Sequence, residues 1–162
     1  MAGRRLEGSA SRIRRATRHD LVGLRQLLAS DAAERSERSE RFDRRLLRHL
    51  GSDVSVVEGD DGSLVGAVSL TFVRSFLAGH WRAHLDGLWV APGHDPLCDA
   101  LVDVAVRRAA HRQCHELLAL GPLEPRLAAA LERRGAGQQG VWRLVIAPAA
   151  AVPGGRGRRR RS

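Results

Sequence analysis

The stretch from Ala83 to Arg112, AHLDGLWVAPGHDPLCDALVDVAVRRAAHR, limits what this chain can fold into more than any other. Its first part, His84 to Val90, is a short apolar run that reads as a strand. Pro92 and Gly93 break it. From Leu97 to about Arg112 the apolar residues return at helical spacing. A strand, a tight turn and a long helix in this order need a sheet for the strand and a face of that sheet for the helix. Such a junction also leaves free backbone amides at the helix N-terminus, where many folds hold phosphate groups.

The remainder follows a compatible plan. Arg12 to Thr17 (RIRRAT) reads as a first strand, and Thr17 to Asp20 supplies capping residues for a helix in which Leu21, Leu24, Leu27 and Leu28 share one face. Asp31 to Leu50 reads as a second helix. Its pairs Glu34/Arg38, Glu37/Arg41 and Glu40/Arg44 place the acid four residues before the base, the favourable order, and Gly51 ends it.

The period then changes to two. Asp53–Glu58 and Leu64–Val73 form a hairpin around a Gly/Asp turn, and Ser75 to Arg82 is a connecting loop. After the central strand and helix, Glu116–Leu120 is a short buried strand stopped by Gly121 and Pro122. Pro125 to Arg134 is a helix with Pro at its start and Gly135 past its end, and Val141–Ile146 is the last strand. The expected fold class is α/β: a mixed, mainly antiparallel twisted sheet of about six strands with helices on both faces.

Composition bounds the chemistry. The chain has 162 residues, 43% of them hydrophobic, which is enough for one domain with tails. All 27 basic residues are Arg, which excludes a P-loop lysine or a lysine Schiff base, and the absence of Tyr removes any phenolic acid or base. Of the net charge of +9, Met1–Arg18 carries +5 and Pro153–Ser162 another +5, leaving −1 for His19–Val152. The basic character therefore belongs to the ends, which would bind nucleic acid or other anions only loosely and without sequence readout.

Residues 1–11 are expected to be a disordered basic extension, 12–147 the domain, and 148–162 a disordered Pro/Gly/Arg-rich tail. The two cysteines, Cys98 and Cys114, suit a reduced cytoplasmic protein as well as a single disulfide. No stretch has the length of a membrane span. His94 with Cys98, and His111 with Cys114 and His115, lie at opposite ends of one helix roughly 20 Å apart, so no metal site is expected.

RIRRATRHDLVGLRQLL, LVGAVSL, AHLDGLWVAP and LAAALERRGA, in this order, resemble the GNAT superfamily of N-acetyltransferases over roughly Arg12 to Ile146. The resemblance implies a sheet that splays beside the central strand, with acetyl-coenzyme A (acetyl-CoA) in the cleft and a small-molecule or protein amine as acceptor. Leu88, Trp89 and Val90 would then face the pantetheine arm. The turn from Gly93 through His94 to Leu97 and Cys98 would face the pyrophosphate, and Asp86 falls where many members place the carboxylate that accepts the amine's proton.

The sequence also departs from that family. GHDPLC, about two residues shorter than the usual turn, puts Gly93, Pro96 and Cys98 where Arg, Gly and Gly commonly stand. Leu131 lies near the place of the tyrosine that protonates the leaving thiolate.

Asp95 followed by Pro96 reads as an N-cap and N1 pair, which would occupy amides that a pyrophosphate needs, and Asp99 adds a second acid. A binding or regulatory module that has lost coenzyme A is therefore the alternative expectation. For Asp86 the alternative is an ion pair with Arg82 or His84, with His84 a helper or an ordinary polar neighbour. The final strand offers an edge through which a homodimer could form.

Overall fold

The computed structural model describes residues 4–6, 9–28, 51–77, 79–120, 123–138 and 142–146. Its strands are β1 (Arg4–Leu6), β2 (Ser9–Arg15), β3 (Ser52–Glu58), β4 (Leu64–Ser75), β5 (His80–Val90), β6 (Cys114–Ala119), β7 (Gly137–Gln138) and β8 (Trp142–Val145). Its helices are α1 (Leu21–Leu28), preceded by a 3-10 turn at Arg18–Asp20, α2 (Leu97–His111) and α3 (Pro125–Glu132). The helix expected over 31–50 and the tail 148–162 lie outside the described residues.

The strands form one sheet in the order β1-β2-β3-β4-β5-β6-β8-β7. Neighbours are antiparallel except β5 and β6, which run parallel and are joined through α2. Six strands have four residues or more, and β1 and β7, with three and two, cap the two edges. The expected mixed, mainly antiparallel sheet is therefore the observed one. Its core is layered on both sides. On one face α1 brings Leu24 and Leu27 against Val54, Val56 and Ala67. On the other, Leu101, Val102 and Ala105 of α2 and Leu127 and Leu131 of α3 join the cluster that holds Val68, Leu70 and Leu117.

The boundaries carry the corrections. Ser75 to Arg82, expected to be a loop, is strand at both its ends. Val73, Arg74 and Ser75 pair with Arg82, Trp81 and His80, so only residues 76–79 connect β4 to β5. Order was expected to begin near Arg12, but the backbone of Arg4–Leu6 already pairs with Ser9–Ile13.

The first helix does have its cap. Thr17 accepts from the His19 amide while Asp20 accepts from the Thr17 amide, a reciprocal box. Past α3, Gly135 takes the left-handed conformation, φ 81°, expected of a helix-ending glycine.

Candidate active site at the fork between β5 and β6

β5 and β6 pair from Trp81/Cys114 to Leu85/Ala119 and no further. β5 itself continues to Val90, held by β4 up to the pair Gly66/Val90. Over Asp86–Val90 the outer edge of β5 therefore has no strand partner among the described residues. Its outer backbone groups face the space beyond the end of β6, whose last residue, Ala119, is paired with Leu85, and this opening is the fork. Both α2 and α3 start at this end of the parallel pair, which is where open α/β sheets place their ligands.

Asp86 sits at the mouth of the fork, in a bulge. Ser69 pairs with Gly87 and Leu70 with Leu85, so Asp86 is one additional residue in β5. Its carboxylate lies on the face carrying Ser69 and Thr71. Thr71 Oγ1 donates to Asp86 Oδ2 at 2.6 Å, and Ser69 Oγ lies at 3.5 Å. The group is exposed, and no ion pair engages it among the described residues. Arg82, its expected alternative partner, instead sets Nε 2.8 Å from Glu116 Oε2. His84 makes no ion pair with Asp86 either.

The residues after Asp86 alternate again. Leu88 and Val90 are partly buried against the α2 side of the sheet, whereas Trp89 packs on the α1 side. The Trp89 ring crosses Gly87 so closely that a Cβ there would lie 2.2 Å from it. The side chains of this segment are thus fixed on the two faces, and the fork is lined by backbone.

At the turn, the amides of His94, Leu97 and Cys98 donate to the carbonyls of Ala91, His94 and Asp95 at 3.1, 2.9 and 3.1 Å. Gly93 has φ 82°, the left-handed conformation that favours glycine, and a Cβ there would meet only open space. Leu97 and Cys98 send their side chains into the core, and burial pushes the Cys98 thiol up. Only their backbone can face the fork. His94 is exposed.

The expected Asp95 cap is not made. The helix starts at Leu97 with Pro96 at the N-cap and no side-chain cap bond. Asp95 stands one position too early, and its carboxylate accepts from Arg126 Nη1 instead. Asp99 is engaged as well. Arg134 and Arg133 donate to it at 2.8 and 2.7 Å and hold its carboxyl below the usual range. Arg134 also reaches Asp103 at 2.8 Å and the Asp99 and Ala130 carbonyls at 2.8 and 2.7 Å.

These three arginines are what the sequence reading missed. Its available signal was a pattern across two helices: acids recur every four residues at 95, just before α2, and at 99 and 103 within it, and the arginines cluster from 126 to 134.

Leu131, near the place of a family tyrosine, is a core residue and only 2% exposed. A separate cavity of about 320 Å³, lined by Gly51, Phe72, Trp81 and Arg112, lies at the far end of β5, away from Asp86.

The same architecture recurs among solved structures. A ribosomal-protein-alanine N-acetyltransferase from Brucella melitensis biovar Abortus 2308 matches with TM-score 0.64 at 23% identity, over 80% of this chain and 93% of that one. Glucosamine-6-phosphate N-acetyltransferase from Arabidopsis thaliana matches with TM-score 0.68 at 18% identity, over 80% and 92%. An aminoglycoside 6′-N-acetyltransferase from Acinetobacter baumannii gives 0.63 at 14%, over 80% and 92%. These likenesses concern the fold. A comparison with curated proteins gives no match. The sequence itself carries the stronger link, because the family model for the acetyltransferase (GNAT) family aligns with residues 21–137, from the start of α1 through α3 to β7. With that alignment running over most of the chain, this protein belongs to the acetyltransferase (GNAT) family.

Proposed function

We propose that the protein transfers an acetyl group from acetyl-CoA to an amine, with Asp86 as the proton acceptor. The observation that carries this reading is the open backbone edge of β5 from Asp86 to Val90, with an exposed carboxylate held by Thr71 at its inner end and a helix start without a side-chain cap at its outer end. The donor set fits the cofactor. The β5 edge can hydrogen-bond an amide-bearing arm and Gly93 leaves room at the turn, while the Leu97 and Cys98 amides would meet a phosphate by exchanging the His94 and Asp95 carbonyls for it. When bound, acetyl-CoA supplies an activated thioester.

The chain's own part is to align the acceptor amine and take its proton. Asp86, oriented by Thr71 and open to water, can accept that proton directly or through one water. As the nitrogen–acetyl bond forms and the carbon–sulfur bond breaks, the leaving sulfur needs a proton. Leu131 cannot give one, so solvent at the fork does. The acceptor is a small-molecule or protein amine. Both kinds are named among the similar structures, as an aminoglycoside, a glucosamine phosphate and a ribosomal-protein alanine.

Calorimetric titration with acetyl-CoA at low salt tests the first half of the reading. Dissociation constants below about 1 mM are expected, and weaker binding than this ends the proposal. Thiol release with a panel of amines tests the second. Asp86→Asn should lower kcat/KM by about 10²- to 10⁴-fold with acetyl-CoA affinity unchanged. Unchanged turnover would remove Asp86 from the mechanism.

A further inference from the structure

The turn that faces the fork lacks the arginine common in this family, since Gly93 stands in its place, yet an arginine is present there from another element. Arg126, in the first turn of α3, reaches across and donates to Asp95, two residues beyond Gly93. Both partners are exposed, at 60% and 52%. An exposed pair of this kind adds little to stability, because water competes for both charges.

The other arginines nearby are committed elsewhere. Arg134 is 19% exposed and bonds two carboxylates and two carbonyls, and Arg133 is bound to Asp99. The Arg133–Asp99 pair is comparably exposed but lies farther along α2, so Arg126, whose Nε also lies 3.9 Å from Glu124, is the arginine beside the turn that can change partner cheaply.

Resting on the acetyl-CoA reading above, we propose that Arg126 is a coenzyme A phosphate-binding residue, and that Asp95 holds it in place until the phosphates arrive. A guanidinium binds a phosphate through the same forked donors it offers a carboxylate, and a pyrophosphate carries more charge than Asp95. The exchange also removes part of the negative potential that Asp95 would otherwise set against the cofactor. Arg126 thus does from α3 what the family's usual arginine does from the turn.

The test is titration of full-length protein with coenzyme A and with dephospho-coenzyme A, for wild type, Arg126→Gln, Asp95→Asn, the double variant and Arg107→Gln. Arg107 is exposed on α2 and controls for net charge. Arg126→Gln should weaken coenzyme A about tenfold or more. Arg107→Gln should change it little. Asp95→Asn should strengthen binding several-fold, and that gain should shrink when Arg126 is already Gln.

An Arg126 effect that persists with dephospho-coenzyme A assigns the contact to the pyrophosphate. One that disappears assigns it to the 3′-phosphate, and either supports the proposal. If wild type binds coenzyme A but Arg126→Gln binds it equally well, or if Asp95→Asn gives the same gain in both backgrounds, the role of Arg126 is refuted and the enzyme reading stands. If wild type does not bind coenzyme A, both fall together.

Discussion

Asp86 is one additional residue in β5, and what it changes is the face of the residues that follow. Without the bulge, Asp86 would still share the face of His84, but Gly87 would follow Leu85 toward α2 and Trp89 would go with it. With it, Asp86 and Trp89 both lie on the α1 side, and Gly87 is the residue over which the indole passes. This makes Gly87 a sharp test of the local geometry. A Cβ there would sit 2.2, 2.4 and 2.9 Å from three ring atoms of Trp89, so the ring must leave its seat. Gly87→Ala should cost about 1–3 kcal/mol, the usual range for overpacking. It should also shift tryptophan emission, measured alongside urea unfolding. An unchanged spectrum and midpoint would mean that Trp89 does not lie over Gly87. The carboxylate itself was legible in the sequence through its place in a family pattern. Its partners were not, because Thr71 lies 15 residues away and is brought near only by pairing of β4 with β5.

At the scale of elements, the contact between α2 and α3 decides both the stability and the charge of the site. Sequence spacing found α3 itself, with Pro125 opening it and Gly135 closing it. It read the acids of α2 as repelling phosphate, because rules for charges three or four apart on one helix say nothing about partners 31 to 35 residues away. The structure pairs Asp95, Asp99 and Asp103 with Arg126, Arg133 and Arg134. These pairs are not equivalent. Arg134 is largely buried and bonds two carboxylates, the Asp99 carbonyl and the Ala130 carbonyl near the end of α3, so Arg134→Ala should destabilise by about 2–3 kcal/mol. Arg126→Gln, at an exposed pair, should cost about 1 kcal/mol or less. Chemical denaturation of the two variants compares them directly. Equal losses would mean that burial does not separate the structural arginine from the one available to a ligand.

For the whole molecule, the order of elements was legible because the hydrophobic period switches cleanly between two and 3.6, and the β-α junction at Ala83–Arg112 forces one parallel pair into an otherwise antiparallel sheet. The fork was not legible from period or spacing, since it depends on where β6 stops against β5, a register that nonlocal pairing sets. Nor was the long-range tie that secures the first strand. Arg14 of β2 makes two bonds to Asp20, at 2.8 and 2.7 Å, and a third to Glu58 of β3 at 2.9 Å. Asp20 also accepts from the Thr17 amide and hydroxyl at 2.7 and 2.9 Å.

These donors, Arg14 first, lower the Asp20 pKa from 3.8 to about 2. A carboxylate depressed on folding stabilises the native state above its unfolded pKa and loses that contribution as pH falls through the folded value. At about 1.36 kcal/mol per pKa unit, Asp20 contributes roughly 2.5 kcal/mol at neutral pH, about half of that near pH 3 and a few tenths near pH 2. Asp99 is shifted in the same direction by Arg134 and Arg133 and adds to the same acid loss. The raised pKa of Arg14 has no effect in this range, because it titrates only at strongly alkaline pH. Urea unfolding of wild type and Asp20→Asn at pH 7, 4, 3 and 2 should show a gap that is nearly constant from 7 to 4 and then closes. A gap that stays the same at pH 2 would assign the effect to packing around Asp20 rather than to its charge.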